Sequence, residues 1–160
     1  MKTLSKKTLI VGMGNLLSGD DRFGPQVLEL LRQNGTDTLP GISFADAHTD
    51  LLNYLESFAE YDYVVLVDAI LDPENKLGQP GRIVVLNEEA FKSWPETSQG
   101  VHQISPLLAV KLFRRIYPAA LTQITLVGLC VDQITQAPRY ATDERIQEGF
   151  AAVRAAVANL

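Results

Sequence analysis

Residues 9–31 read LIVGMGNLLSGDDRFGPQVLELL, and this stretch decides the fold. An apolar run enters a turn that contains Gly12 and Gly14, and two adjacent carboxylates, Asp20 and Asp21, then precede a helical pattern. The order of strand, glycine turn, acidic pair and helix predicts a parallel sheet with both carboxylates at its carboxyl edge, where such sheets keep their active crevices. Two carboxylates at one place need a cation, a proton or a polar partner. The stretch therefore predicts a functional site as well as a fold.

The composition is that of a globular protein with an excess of acidic residues. Hydrophobic residues make up 46% of the 160 and charged residues 21%, which is ordinary for a globular domain, and we expect one domain over residues 1–160. The net charge of −5 argues against nucleic-acid binding. No apolar segment approaches the roughly 20 residues that cross a membrane, and no secretory signal is evident. We therefore expect a cytoplasmic protein.

Two further predictions concern single side chains. Cys130 is the one cysteine, which excludes an internal disulfide, and it lies in an apolar strand pattern. We predict that it is a buried structural thiol and not a nucleophile. Arg114 and Arg115 form an isolated basic pair, which we predict to be solvated.

The rest of the chain alternates strand and helix patterns. The apolar run 63–67 (YVVLV) has no polar alternation, which predicts a central strand buried on both faces. Another strand begins at Arg82 and ends at Leu86, and the connection before it holds no helical pattern, so we predict an antiparallel edge strand. The remaining predicted strands cover residues 8–11, 42–45 and 123–130, and the predicted helices cover 25–33, 50–58, 88–94, 105–116 and 143–159. This order predicts an α/β fold, a three-layer α/β/α sandwich.

The glycine turn also suggests a nucleotide-binding loop, an alternative that the sequence disfavours. Gly12 and Gly14 match the first two glycines of the dinucleotide motif, but Leu17 stands where the third is required. No Gly-Lys-Ser or Gly-Lys-Thr follows, and the two aspartates would repel a phosphate. One carboxylate can instead cap the following helix. We predict that Asp20 does so, and that Asp21 binds a cation.

Two later residues complete a possible metal site. Asp68 ends the central strand, and His102 lies in a polar loop before the Ser105-Pro106 helix start. Taken singly, Asp68 could cap a neighbouring loop and His102 could be a surface residue. Together with Asp21 they form a set of two carboxylates and one imidazole, which suits Zn²⁺ or Ni²⁺. The signatures of zinc metalloproteases and of serine hydrolases are absent from the sequence.

Four segments follow one another in an order that is typical of a known family. They are Gly12-x-Gly14-Asn15-x-Leu17-x-x-Asp20-Asp21-x-x-Gly24, the strand that ends in Asp68-Ala69, the isolated His102-Gln103, and the late Leu126-Val127-Gly128. Together they resemble the maturation endopeptidases of nickel–iron hydrogenases, and the likeness covers most of the chain. The resemblance implies a five-stranded, mostly parallel sheet between helices, with one antiparallel strand.

The resemblance also implies an activity and a set of site residues. Such enzymes remove a short C-terminal extension from the hydrogenase large-subunit precursor after nickel has been inserted. By motif position, Asp21, Asp68 and His102 would contact the metal. We further predict that Asp21 and Asp68 are the catalytic residues. The nickel would be supplied by the precursor, so that the isolated protein, which we expect to be a monomer, need hold no metal of its own.

Two departures from the family pattern bear on substrate choice. Residues 46–49 read DAHT where the family usually has Asp-Gly-Gly-Thr, so His48 and Asp50 either line a cleft wall or cap the next helix. Arg22 stands where a glycine is frequent.

Several readings of the function stay open at this point. Nickel could act as checkpoint and Lewis acid, or it could serve recognition only while Asp21 and Asp68 activate water as an aspartic-type pair. The protein could also be a non-cleaving binding module or chaperone for the precursor tail, or a small-molecule hydrolase on the same sheet.

Overall fold

A five-stranded mixed sheet forms the centre of the molecule. The computed structural model describes residues 5–93 and 105–160. The strands are β1 (Thr8–Met13), β2 (Ile42–His48), β3 (Tyr63–Leu71), β4 (Ile83–Asn87) and β5 (Gln123–Val131). Their spatial order is β2-β1-β3-β5-β4. Only β4, at one edge, runs antiparallel, against β5. The predicted α/β class and the antiparallel edge strand are confirmed.

Helices cover both faces of this sheet. They are α1 (Phe23–Gln33), α2 (Leu55–Phe58), α3 (Glu88–Lys92), α4 (Pro106–Ile116) and α5 (Asp143–Ala158). Short 3-10 turns occupy Gly19–Arg22, Thr36–Thr38 and Leu51–Tyr54. The α4 start is as the sequence predicts, because Pro106 is the first helical residue and the Ser105 hydroxyl accepts from the Leu108 N–H at 3.2 Å.

Alternating strand residues divide the core into two layers. Leu9 and Val11 of β1 pack with α2 and α4, in a layer that includes Phe58 and Phe113. Ile10 lies between them on the other face of the sheet and packs with α1 and α5. Successive side chains of a strand point to opposite faces, and helices cover both faces of this sheet, so the consecutive residues Leu9, Ile10 and Val11 are all apolar.

Three elements differ most from their predicted bounds. The central strand β3 was predicted to end at residue 67 but continues to Leu71, because β5 pairs with it from Asp68 to Leu71 after its partner β1 has ended. Strand β2 likewise extends to His48, past the predicted end at residue 45. The predicted helix 50–58 is a 3-10 turn followed by the single turn of α2.

Arg114 is not solvated as predicted. Its guanidinium binds both oxygens of the Glu88 carboxylate, with Nε at 3.0 Å from Oε2, and also donates to the backbone carbonyls of Ala120 and Thr122. The side chain therefore joins the end of α4 to the start of α3 and to the segment before β5. Arg115 is exposed, as predicted.

The burial of Cys130 and the character of the helices can also be compared with the sequence. Cys130 is buried, as the strand pattern predicts, with 1% of its surface exposed. Among the helices of the described residues, none has the length and apolar character that a membrane span requires.

Candidate active site

The glycine turn after β1 brings Gly14 against the backbone of Asp21. A β-carbon at Gly14 would lie 2.0 Å from the Asp21 carbonyl oxygen, and the Gly14 φ of +116° is unfavourable for other residues. The Gly14 N–H also donates to the carbonyl oxygen of His48 at 2.7 Å. Gly14 is therefore required for two reasons: its backbone has a positive φ, and the backbone of Asp21 lies too close for a side chain. Both features hold Asp21 next to the end of β1.

Short hydrogen bonds fix the turn between Gly14 and Asp21. The backbone N–H of Asn15 donates to Asp21 Oδ2 at 2.9 Å, and the Asn15 side chain accepts from the Leu17 N–H at 2.9 Å. The Asp21 N–H donates to the Ser18 carbonyl at 2.9 Å. Asp21 is 6% exposed, and its carboxylate is directed back toward the turn that precedes it.

Gly24 lets the start of α1 pack directly on the ends of β1 and β3. A β-carbon there would lie 2.1 Å from the Met13 carbonyl oxygen and 2.5 Å from that of Val67. Asp68 is the next residue of β3. The close packing at Gly24 therefore places the turn that carries Asp21 beside the strand that carries Asp68.

Asp68 is a buried carboxyl group in the field of Asp21. Burial, and secondly the charge of Asp21, raise the pKa of Asp68 well above its ordinary value, while the Ala69 N–H lowers it. Asp68 is 6% exposed. Two carboxyl groups in this arrangement can hold one proton between them, which gives an acid and a base at the same site, or can release it to bind a cation.

Asp20 does not cap α1 as predicted. Its Oδ1 accepts three backbone N–H groups, from Arg139 at 2.9 Å and from Tyr140 and Ala141 at 2.7 Å each. The side chain caps neither the 3-10 turn Gly19–Arg22 nor the helix after it. The reason is that the Asp20 carboxylate is engaged by the backbone N–H groups of the segment that precedes α5. Sequence spacing could not reveal a partner about 120 residues away.

The third predicted metal contact lies outside the described residues. His102 and its neighbour Gln103 fall in the interval 94–104, so the structure brings together two members of the predicted set, Asp21 and Asp68. Within residues 5–93 and 105–160, no three His, Cys, Asp or Glu side chains are grouped closely enough to hold a metal ion. The predicted set therefore depends on His102.

The unusual residues at the end of β2 and just after it occupy the same edge of the sheet. His48 is exposed and has a φ of +52°, and its carbonyl oxygen accepts from Gly14, while the Asp50 carboxylate accepts from the Asn53 side chain. Asp50 does not cap the backbone of the following turn. Asp46, which is paired with Gly12, binds Arg32 at 2.7 Å.

Comparison with known proteins gives a consistent set of relatives. No family model matches the chain. The hydrogenase 2 maturation protease of Escherichia coli strain K12 is 26% identical over 131 residues, which cover 80% of this chain and 75% of that protein.

Solved structures extend the likeness to the fold. The hydrogenase maturating endopeptidase HybD from E. coli aligns with a TM-score of 0.71 at 22% identity, over 96% of this chain and 93% of its own. The [NiFe] hydrogenase maturation protease HycI from Thermococcus kodakarensis aligns with a TM-score of 0.68 at 22% identity, over 92% and 90%. The resemblance indicated by the sequence motifs is confirmed.

Proposed function

From the resemblance to hydrogenase maturation proteases in sequence and fold, we propose that this chain is an endopeptidase of hydrogenase maturation. Its substrate is the nickel-loaded precursor of a [NiFe] hydrogenase large subunit, from which it removes the C-terminal extension. The observation that carries the proposal is the buried pair Asp21 and Asp68 at the carboxyl edge of the sheet, in the motif positions that the resemblance assigns to the site.

In the proposed mechanism the pair recognises nickel that is already bound in the precursor. Asp21 and Asp68, with His102, supply two carboxylates and an imidazole, a set that suits Ni²⁺. Because burial and the charge of Asp21 raise the pKa of Asp68, a cation at this site removes the repulsion and favours release of the Asp68 proton. A precursor without nickel offers no such compensation, so recognition would depend on nickel insertion.

A second version of the chemistry is supported by the same electrostatics. With one proton on the pair, the ionised carboxylate can accept a proton from water while the protonated one donates to the scissile carbonyl or to the leaving amine. The raised pKa of Asp68 favours Asp68 as the acid in this version, with Asp21 as the base. Nickel then acts in recognition alone.

Cleavage of the precursor, with and without nickel, tests the proposal. The purified protein is mixed with nickel-loaded or nickel-free large-subunit precursor, and the mass of the large subunit is followed over time. We expect shortening with the nickel-loaded precursor only. A stable complex without any shortening would favour the binding module, and hydrolysis of simple esters without precursor would favour the small-molecule hydrolase; either result overturns the proposal.

Asp21→Asn separates chemistry from folding. The variant keeps the shape of the side chain but removes the charge, so we expect no shortening of the precursor and a thermal unfolding midpoint at or above that of the wild type. Asp37→Asn is the matched control because Asp37 is exposed in the turn before β2. Normal processing by Asp21→Asn would exclude both versions of the mechanism.

A further inference from the structure

We propose that Asp20 is a positioning residue for Asp21. By binding the segment 139–141, it fixes the turn Gly19–Arg22, so that the Asp21 carboxylate is held at the site. The inference rests on the proposed function for the role of Asp21, but the contacts of Asp20 can be tested without it.

The contacts of Asp20 are unusually concentrated. One carboxylate oxygen, Oδ1, accepts three consecutive backbone N–H groups between 2.7 and 2.9 Å, and the residue is 0% exposed. The other oxygen, Oδ2, accepts no hydrogen bond from residues 5–93 or 105–160. A buried carboxylate is costly unless charge-assisted hydrogen bonds compensate it. Among the described residues, the hydrogen bonds that compensate the burial of the Asp20 carboxylate all come from the segment 139–141.

Two neighbours of Asp20 bind the same stretch of chain. The Arg22 guanidinium donates to the Ala141 carbonyl oxygen at 2.6 Å. On the other side, a β-carbon at Gly19 would lie 1.8 Å from the Thr135 carbonyl oxygen. The residues before and after Asp21 are therefore both anchored to 135–141, and Asp21 cannot move without breaking these contacts.

Asp20 acts through this geometry and not by contact with substrate. Its side chain is buried against the segment before α5, whereas the Asp21 carboxylate faces Asn15 on the other side of the turn. A misplacement of a reacting group by about 1 Å can reduce a rate about 10²-fold. Loss of the Asp20 contacts is expected to act in this way.

Asp20→Ala and Asp20→Asn form the decisive pair. Alanine removes the acceptor of three N–H groups, whereas asparagine retains an oxygen at the same position. We expect Asp20→Ala to cleave the nickel-loaded precursor about 10²-fold more slowly in single turnovers with saturating precursor. We expect Asp20→Asn to recover most of the rate. An unchanged rate in Asp20→Ala, or an equal loss of rate in Asp20→Asn, would overturn the inference.

A stability-matched variant separates positioning from general destabilisation. Val153 is fully buried on α5 and belongs to the core layer of α1 and α5. Val153→Ala should lower the unfolding midpoint and leave the single-turnover rate unchanged at a temperature where both variants are folded. A comparable rate loss in Val153→Ala would assign the effect of Asp20→Ala to stability alone. If Asp20→Ala does not fold, Arg22→Ala replaces it, with an expected loss of about 10-fold in the single-turnover rate.

Amide hydrogen exchange tests the contacts independently of activity. In Asp20→Ala, the amides of residues 139–141 and of the turn Gly19–Arg22 should exchange faster than in the wild type, while those of β3 stay protected. Unchanged exchange in the turn would overturn the inference even if the wild type is active. A wild type that fails to cleave the precursor would overturn the proposed function, and the exchange result would still decide whether Asp20 holds the turn.

Discussion

Asp68 is buried in the field of Asp21, and burial first and the Asp21 charge second raise its pKa well above the ordinary value. The two residues come from different elements, Asp68 from β3 and Asp21 from the turn before α1. Their proximity follows from Gly24, which allows the helix start to approach the carbonyl oxygens of Met13 and Val67. Burial and the neighbouring carboxylate disfavour ionisation of both groups at once, so the pair favours a form in which Asp68 keeps its proton.

Asp68→Asn should stabilise the protein at neutral pH. Between the ordinary pKa of an aspartate and the raised pKa, native Asp68 keeps a proton that the unfolded chain releases, so stability falls as the pH rises through this window. Asparagine removes this loss. We expect the free energy of unfolding at pH 7 to be higher for Asp68→Asn than for the wild type, as measured by denaturant unfolding.

The pH dependence distinguishes this cause from a change in packing. Denaturant unfolding of wild type and Asp68→Asn at a series of pH values should show a difference that grows from about pH 4 upward and then levels off. A constant difference at all pH values would contradict the assignment.

Gly24→Ala should disrupt both the fold and the site. The added β-carbon meets two backbone oxygens, which cannot move aside as a flexible side chain can, so we expect a loss of about 3 kcal/mol in chemical denaturation. Gly35→Ala is an informative control because Gly35 has a φ of +73° but its nearest neighbour would be 3.7 Å away. That variant should lose only about 1 kcal/mol, from backbone strain. Equal losses would show that close approach is not the cause.

Arg114→Ala should destabilise the edge of the sheet that carries β4. The substitution leaves the Glu88 carboxylate and two carbonyl oxygens without their donor, for which we expect a loss of about 2 kcal/mol in the free energy of unfolding. The neighbouring Arg115 is exposed, and Arg115→Ala should change the free energy by less than about 0.5 kcal/mol. The same small effect for both arginines would contradict the role of this ion pair.

Cys130 should be inert to alkylation in the native protein. Burial first, and the charge of Asp72 second, raise the pKa of its thiol to about 11, although Arg82 opposes the shift. At pH 8 roughly one thiol in 10³ is then ionised, and the sulfur is enclosed as well. Mass spectrometry after iodoacetamide treatment should find modification only in denaturant. Rapid native modification would contradict the structural role.

Local patterns in the sequence predicted most of the architecture. The apolar runs predicted the five strands, and the absence of a helical pattern before residue 82 predicted the antiparallel edge strand. The pair Ser105-Pro106 predicted where α4 begins. These features depend on residues close together in the chain, where spacing and capping are informative. The bounds of β3 were wrong because its last residues depend on β5 as a pairing partner.

The proximity of Asp21 and Asp68 was predictable from the sequence, but the contacts around them were not. Asp21 and Asp68 could be recognised because each follows an apolar run and both runs belong to one sheet. The role of Asp20 could not be recognised, because backbone N–H groups carry no sequence signal and their segment lies far away in the chain. Arg114 was misjudged for a similar reason, since Glu88 and the carbonyl oxygens that bind it belong to other segments. The assignment of His102 stays a prediction.

The Asp20 contacts have a consequence for the order in which the protein acquires its site. They close a loop of about 120 residues, from the turn before α1 to the segment before α5. Strands β1 and β3 can pair, and α1 can pack on them, well before residues 139–141 have left the ribosome. A growing chain would therefore carry Asp21 on a loosely held turn until late in synthesis. Geometry at the site is then among the last features to be established, because non-local contacts form slowly.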